Sequence, residues 1–397
     1  MSEKLPLHPA DVHGAGRLAA DATVGLADLV EAVHTAILAA PGLRHLPASA
    51  AIGGLAGLVY GGVRGFARTL GAGADLLLSH HPPRHGQPHE SPEREAMLAA
   101  MNGVLGDYLA ASDNPLRIAM HLRQAGEPLD SYAPAPAMGP AGGKILLLVH
   151  GLCMNDLQWQ RQGHDHGARL AAELGFTPIY LHYNSGLHIS TNGRALADLL
   201  ESTLRCWPVP IEQLAIVAHS MGGLVARSAC HYGAEAGNSW LGQLRALVFL
   251  GTPHHGAPLE RVGSWAHAML GASPYTAAFA RLGRLRSAGI TDLRYGSLLD
   301  DDWAGRDRFA HSGAPHQHVP LPAGVRCYTI AASTGKAGRQ LLGDGLVPLA
   351  SALGDHADPE LALAIPADRR WLGQNINHLE LLSNPEVYER LRGWLAT

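Results

Sequence analysis

The hydrophobic pattern of residues 144–397 alternates between short apolar runs and stretches with helical periodicity. The apolar runs predict strands over 144–151, 177–183, 213–220, 244–253 and 325–333, with a sixth over 361–367. The intervening stretches predict helices, among them 165–174, 192–206 and 385–396. Alternation of this kind is typical of an α/β fold in which helices cover both faces of a mostly parallel sheet.

Residues 1–125 have a different, mainly helical pattern. Apolar positions at helical spacing predict helices over 20–40 and 92–112, and an apolar, glycine-rich segment spans 48–78. Pro, Gly and Ala dominate 126–143, which predicts a linker. We therefore expect an N-terminal helical extension over 1–125, the linker, and an α/β domain over 144–397.

One stretch interrupts the alternation of strands and helices. Residues 257–322 lie between the fourth and fifth predicted strands, and a plain loop of that length is uncommon inside a compact domain. The stretch contains large apolar residues such as Trp265, Phe279 and Leu282. It therefore predicts a helical insert that acts as a cap or lid.

Composition narrows the class of protein. The net charge is −4, which argues against a nucleic-acid binder, and 47% of the residues are hydrophobic, enough for a sizeable core. The four cysteines are scattered without a C-x-x-C pair, so neither a disulfide framework nor a zinc ribbon is indicated. The first residues lack the apolar core of a signal peptide, and the longest apolar stretch, 48–62, is short for a bilayer span. These features predict a cytoplasmic protein and leave membrane association open.

The strongest chemical signal is the segment Ala218-His219-Ser220-Met221-Gly222-Gly223. It follows an apolar strand and opens a helix, and small residues flank the serine, as a sharp strand-to-helix turn requires. Such a turn presents Ser220 at the carboxyl end of the strand beside a helix N-terminus, which favours developing negative charge. The plain alternative is an ordinary strand–helix turn with a capping serine.

A second signal lies at the end of the first strong strand, where His150-Gly151-Leu152 occurs. This is where an oxyanion-hole loop belongs in a nucleophile-elbow fold. The backbone N–H groups of Leu152 and Met221 are the predicted oxyanion donors.

An acid and a histidine should follow the serine in that order. Asp344 lies just beyond the fifth strand between two glycines, and His378 lies between the sixth strand and the last helix. Ser220, Asp344 and His378 are the predicted catalytic triad. The alternatives are the acids Asp355, Asp358 and Asp368 and the histidine His356.

At these residues the chain resembles the α/β-hydrolase superfamily, in particular its lipase-like serine esterases. The matching motifs are V-H-G-L (149–152), A-H-S-M-G-G-L (218–224), G-T-P-H-H-G (251–256), D-G-L-V-P (344–348) and N-H-L-x-L-L (377–382). G-T-P-H-H-G is similar to the lipase and GPI-inositol-deacylase-like branch. The resemblance implies a serine nucleophile, an acyl-enzyme intermediate and no cofactor, and it does not extend to residues 1–125.

The expected activity is hydrolysis of apolar acyl esters, with a small-molecule or lipid ester as substrate. Acyl transfer, or cleavage of amides or thioesters by the same triad, stays open as the alternative. The predicted substrate pocket is lined by His150, Gly151, Cys153, His219, His254 and His255. No metal site is expected, because no set of histidines and acids has ligand spacing.

The N-terminal part supports a separate hypothesis. Gly53, Gly57 and Gly61 recur at the spacing that lets helices approach closely. Residues 1–125 are therefore a candidate for peripheral membrane contact or homo-oligomer formation, against the alternative that they pack on the hydrolase body.

Overall fold

The computed structural model describes residues 10–11, 13–24, 61, 65, 91–129, 141–258, 287–305, 317–335 and 343–396. The chain forms two compact units, one of residues 1–89 and 109–116 and the other of residues 90–108 and 117–397. Three predicted parts lie largely outside the described residues: the helix over 20–40, the glycine-rich segment 48–78, and residues 259–286 and 306–316 of the insert. The glycine-spacing prediction and most of the lid prediction fall there.

The first unit contains a helix over 13–24, α1. The guanidinium of Arg17 on this helix donates hydrogen bonds to the carbonyls of Ser112 (2.7 Å) and Asp113 (3.0 Å). The side-chain amide of Asn114 donates to the carbonyl of Gly14 at 3.2 Å. These bonds hold α1 against residues 112–114 of the same unit.

The second unit is built on an eight-stranded sheet with the order β2-β1-β4-β3-β5-β6-β7-β8. Strands β3 to β8 are parallel, and β1 is antiparallel to both of its neighbours. The strands are β1 (His121–Gln124), β2 (Glu127–Pro128), β3 (Lys144–Val149), β4 (Thr177–His182), β5 (Gln213–His219), β6 (Leu244–Leu250), β7 (Arg326–Ser333) and β8 (Arg370–Gln374). The described helices that follow α1 are α2 (Pro92–Ala111), α3 (His166–Leu174), α4 (Ile189–Arg205), α5 (Met221–Glu235), α6 (Ala288–Tyr295), α7 (Leu349–Leu353) and α8 (Pro385–Leu395).

The central strands are buried on both faces because helices cover the sheet on each side. Residues 145–149 of β3 and 216–218 of β5 have no accessible surface. Since β5 lies between β3 and β6, its carboxyl end lies at the middle of the sheet edge. Ser220, which directly follows β5, is therefore held by a buried strand with a paired strand on each side.

The first five predicted strands are confirmed, and the sixth was misplaced. The final strand is Arg370–Gln374, whereas 361–367 has no strand pairing. Leu363 and Ile365 are buried, but their backbone N–H groups bond locally, that of Leu363 to the carbonyl of Gly354 at 2.8 Å. An apolar run can thus be buried as a loop that packs on a turn.

The sheet unit includes residues that precede the predicted start of the α/β domain at residue 144. Residues 90–108 and 117–125 belong to the same unit as the sheet, because β1 pairs with β4 at its edge. Strand β2 lies within the predicted linker 126–143, of which residues 130–140 are outside the described residues. The polar sequence of β1 carries no apolar run that would mark a strand.

Part of the predicted insert is described and is helical, as expected. Helix α6 begins after Ser287, whose side chain accepts the N–H of Ile290, and ends at Gly296 with φ 71°. Among the described helices, none has the length and apolar character needed to cross a bilayer.

Candidate active site

Ser220 occupies a sharp turn between β5 and α5. Its φ of 57° and ψ of −129° are unfavourable for a residue with a side chain. The turn persists because the Ser220 N–H donates to the carbonyl of Leu250 at 2.8 Å and both flanking elements are buried. Backbone strain at a buried polar residue is characteristic of functional sites.

Two glycines allow α5 to start directly behind the serine. A Cβ atom at Gly222 would lie 2.5 Å from the carbonyl oxygen of His150 and 2.6 Å from that of Val149. Gly223 lies against the side chain of Thr252 in the same way. The small residues of the motif are therefore required by the approach of the helix to the ends of β3 and β6.

Replacing Gly222 with alanine is expected to lower thermal stability, because the new methyl group would overlap backbone carbonyls that cannot move independently. The loss of stability should be about 1–3 kcal/mol. Gly393→Ala is the matched control, since Gly393 is an exposed helical glycine with open space around it. Thermal melts should show the control unchanged or slightly stabilised; a Gly222→Ala protein that melts like the control would contradict the packing argument.

Asp344 and His378 form a buried pair at the ends of two later strands. The Nδ1–H of His378 donates to Oδ2 of Asp344 at 2.7 Å, and both residues are 2% exposed. The other carboxylate oxygen of Asp344 accepts the N–H groups of Leu346 (3.0 Å) and Val347 (2.8 Å). The N–H of His378 also donates to the carbonyl of Asp344 at 3.1 Å. The carboxylate is thus fixed in position and orients the imidazole.

Gly251 connects the pair to the serine turn. It follows Leu250, which accepts the Ser220 N–H, and a Cβ atom at Gly251 would lie 3.1 Å from Oδ2 of Asp344 and 3.2 Å from Cε1 of His378. With φ at 57°, Gly251 also has a conformation that favours glycine. The ends of β5, β6, β7 and β8 therefore meet at one place.

The serine hydroxyl itself is buried and has no hydrogen-bond partner among the described residues. Nucleophile–base hydrogen bonds are often long in substrate-free enzymes and shorten when substrate binds. The described residues therefore place a buried serine hydroxyl and a hydrogen-bonded Asp344–His378 pair at the same edge of the sheet.

The alternative acids and histidine have other environments. The exposed carboxylate of Asp355 pairs with the half-buried Arg370 at 2.5 Å. Asp358 and Asp368 are exposed, and the ring of His356 accepts the N–H of Asp358 within its own turn. Asp344 and His378 are the acid and histidine that the structure brings together in the buried site.

The predicted oxyanion loop lies against the serine. A Cβ atom at Gly151 would be 2.9 Å from Cβ and 3.4 Å from Oγ of Ser220. Leu152 is buried just beyond it, and Met221 is the first residue of α5. Both predicted donors therefore belong to segments that border Ser220.

His150 and Cys153 support this loop. Burial lowers the pKa of His150 to about 3, so its ring is neutral, and Nδ1–H donates to the carbonyl of Gly151 at 2.9 Å. The N–H of Cys153 donates to Oγ of Ser185 at 3.0 Å, and burial raises the pKa of its thiol to about 12. Such a thiol stays protonated, which disfavours a cysteine nucleophile at this position.

His254 and His255 contact other groups. His254 is buried with its ring edge on Phe249, and Nη1 of Arg227 lies 3.4 Å from its Nδ1. The N–H of His255 donates to Oγ of Ser351 at 3.1 Å. Within the described part of the chain these contacts fix the loop after β6, and the lining of a substrate pocket by these two histidines stays a prediction.

A buried ionic cluster at the edge of the sheet has no counterpart in the sequence analysis. Nη1 of Arg123 lies 2.6 Å from Glu95 and 3.2 Å from Asp156, and the Nδ1–H of His182 donates to Asp156 at 2.7 Å. Glu95, Asp156 and His182 offer three ligand atoms within 4.8 Å of one another, as a metal site would. The guanidinium already supplies the positive charge there, so the residues fit an ion-pair network better than a metal site. Four residues so far apart in sequence give no local signal.

Comparison with known proteins adds little at the level of sequence. Residues 117–291 match a family described as a domain of unknown function, DUF7379. No curated protein matches the chain.

Solved structures with a similar arrangement include esterases and a lipase. An esterase of Pyrobaculum calidifontis is 14% identical, with a TM-score of 0.40 over 81% of this chain and 95% of the other. Lipase B of Aspergillus fumigatus is also 14% identical, with a TM-score of 0.40 over 70% of this chain and only 55% of the lipase. An esterase of Pyrococcus furiosus is 13% identical, with a TM-score of 0.37 over 64% and 80%. Likeness at this level does not carry the activity of those proteins to this chain.

The fold follows from the molecule itself. The α/β-hydrolase architecture is defined by three parts. They are a parallel sheet covered by helices, a strained serine turn at the end of its central strand, and an Asp–His pair at the ends of two later strands. The chain has the α/β-hydrolase fold.

Proposed function

We propose that the protein is a serine hydrolase that cleaves carboxylic esters through an acyl-enzyme intermediate. The observation that carries the proposal is the strained Ser220 turn on the same edge of the sheet as the hydrogen-bonded Asp344–His378 pair. A nucleophile, a base and a group that orients the base are the minimum for this chemistry.

In the proposed reaction, Nε2 of His378 takes the proton of the Ser220 hydroxyl as Oγ attacks the ester carbonyl carbon. The carbonyl oxygen becomes an oxyanion that accepts the N–H groups of Leu152 and Met221. His378 then gives the proton to the departing alcohol, which leaves the acyl group on Ser220. A water molecule, deprotonated by His378, attacks the carbonyl carbon of this second ester. His378 then gives that proton to Oγ of Ser220 as the bond to the acyl group breaks, and the acid is released.

The apolar character of the acyl group is supported by the residues that follow the oxyanion position. Leu152, Cys153 and Met154 are all buried, and the pKa of Cys153 places a neutral thiol there. No charged side chain occurs in this run, so a hydrocarbon chain is a better match to it than an ionic group.

The test is a hydrolysis profile over p-nitrophenyl esters from acetate to palmitate, combined with a fluorophosphonate probe. We expect hydrolysis of at least part of the series and a single probe adduct on the peptide that contains Ser220. Added alcohol should separate acyl transfer from hydrolysis by the appearance of a new ester. The absence of ester cleavage at every chain length, or an adduct elsewhere, would overturn the proposal.

A further inference from the structure

We infer that His219 is a positioning residue that fixes both the backbone of His378 and the oxyanion loop relative to Ser220. The inference rests on the proposed triad, because it concerns how that triad is held. His219 directly precedes Ser220, and its side chain takes no part in the proton transfers of the proposed reaction.

The first observation is a hydrogen bond between the serine turn and the histidine loop. Nε2 of His219 lies 3.0 Å from the carbonyl oxygen of His378. A carbonyl only accepts, so this nitrogen carries the hydrogen and donates. The two rings are 4.6 Å apart and inclined at 47°. His378 is thereby held from two sides, at its carbonyl by His219 and at its N–H by Asp344.

The Nδ1 edge of the His219 ring lies near the oxyanion loop. A Cβ atom at Gly151 would lie 3.4 Å from Nδ1 of His219, so this edge faces the oxyanion loop. Nδ1 is buried and has no hydrogen-bond partner among the described residues. The imidazole therefore fills the space between the loop with the predicted oxyanion donor and the loop with the base.

The charge state follows from the burial. His219 has no accessible surface, and its pKa is held well below the ordinary value of a histidine, first by burial and then by the neighbouring His378. The ring is neutral, with one hydrogen on Nε2. A neutral neighbour does not repel the positive charge that His378 acquires when it takes the serine proton.

Two substitutions can test which nitrogen of His219 donates the hydrogen bond, because the side-chain amides of glutamine and asparagine each place a nitrogen near one of the two ring positions. The side-chain nitrogen of glutamine lies four bonds from Cα, like Nε2, and that of asparagine three bonds, like Nδ1. His219→Gln should keep the bond to the carbonyl of His378 and retain kcat within about tenfold. His219→Asn and His219→Leu should lose roughly 100-fold in kcat with little change in KM, because the base is displaced while substrate contacts remain.

Two outcomes would overturn the inference from the variants. One is wild-type kcat in folded His219→Leu, and the other is an equal loss in the glutamine and asparagine variants, which would reduce His219 to a packing residue. Thermal melts establish that each variant is folded.

A measurement on the unaltered protein tests the inference even if the variants fail to fold. Long-range ¹H–¹⁵N spectra, assigned through the backbone of residues 218–220, should show His219 as the neutral tautomer with hydrogen on Nε2 at neutral pH. A hydrogen on Nδ1 alone, or a protonated ring, would overturn the inference. This spectrum needs no substrate, so its failure is distinct from a failure of the proposed ester hydrolysis.

Discussion

Replacing Ser220 with alanine is expected to lower kcat for p-nitrophenyl butyrate by roughly 10⁴- to 10⁶-fold, as loss of the nucleophile does in serine hydrolases. The fold should survive the change. The hydroxyl is buried and has no hydrogen-bond partner among the described residues, so its removal leaves no other group unsatisfied. Steady-state kinetics and a thermal melt of the same preparation measure both effects.

Ser228→Ala is the matched control. Ser228 is a buried serine on α5, the helix that follows Ser220, and its Oγ donates to the carbonyl of Leu298 at 2.7 Å. Its loss should cost about 1 kcal/mol of stability because that carbonyl is left without the bond. The control should keep kcat, whereas retained activity in Ser220→Ala would show that another residue is the nucleophile.

Asp344→Asn is expected to lower kcat by roughly 10⁴-fold while the protein remains folded. The N–H groups of Leu346 and Val347 donate to one carboxylate oxygen, so the amide oxygen of asparagine must take that place. The amide NH₂ group then faces Nδ1 of His378 and donates to it. This forces the hydrogen of the imidazole onto Nε2, where it blocks acceptance of the serine proton.

The control for this variant is Asp355→Asn. Asp355 is one of the three rival acids in the sequence, and the ion pair of its exposed carboxylate with Arg370 contributes little to stability. Hydrolysis rates should be unchanged in the control. A large loss in Asp355→Asn together with a small loss in Asp344→Asn would reverse the assignment of the acid.

Prediction from sequence succeeded where burial leaves a strong local pattern. β3, β5 and β6 are parallel strands covered on both faces, so each appears as a continuous apolar run. The pairing of Asp344 with His378 was also predictable, because parallel strands present their carboxyl ends at one edge. The triad roles of these residues stay predictions that the kinetics will test.

Prediction failed where tertiary contacts decide the structure. β1 has a polar sequence and is a strand because β4 offers it an edge. The last strand was predicted too early in the chain, because the apolar residues around Leu363 are buried without strand pairing. The bond from His219 to His378 joins two loops far apart in the sequence, and no periodicity encodes it.

The place of β1 in the sheet has a consequence for synthesis on the ribosome. β1 is made before β3 and α3, yet its partner β4 follows only after both. During that interval the two-residue strand β2 is the partner that β1 already has, and Arg123 gives β1 a charge that disfavours pairing with other chains. In the finished fold the same arginine is buried and paired with both Glu95 and Asp156. We therefore expect the side chain that is buried in an ion pair in the finished sheet to disfavour aggregation of the nascent chain as well.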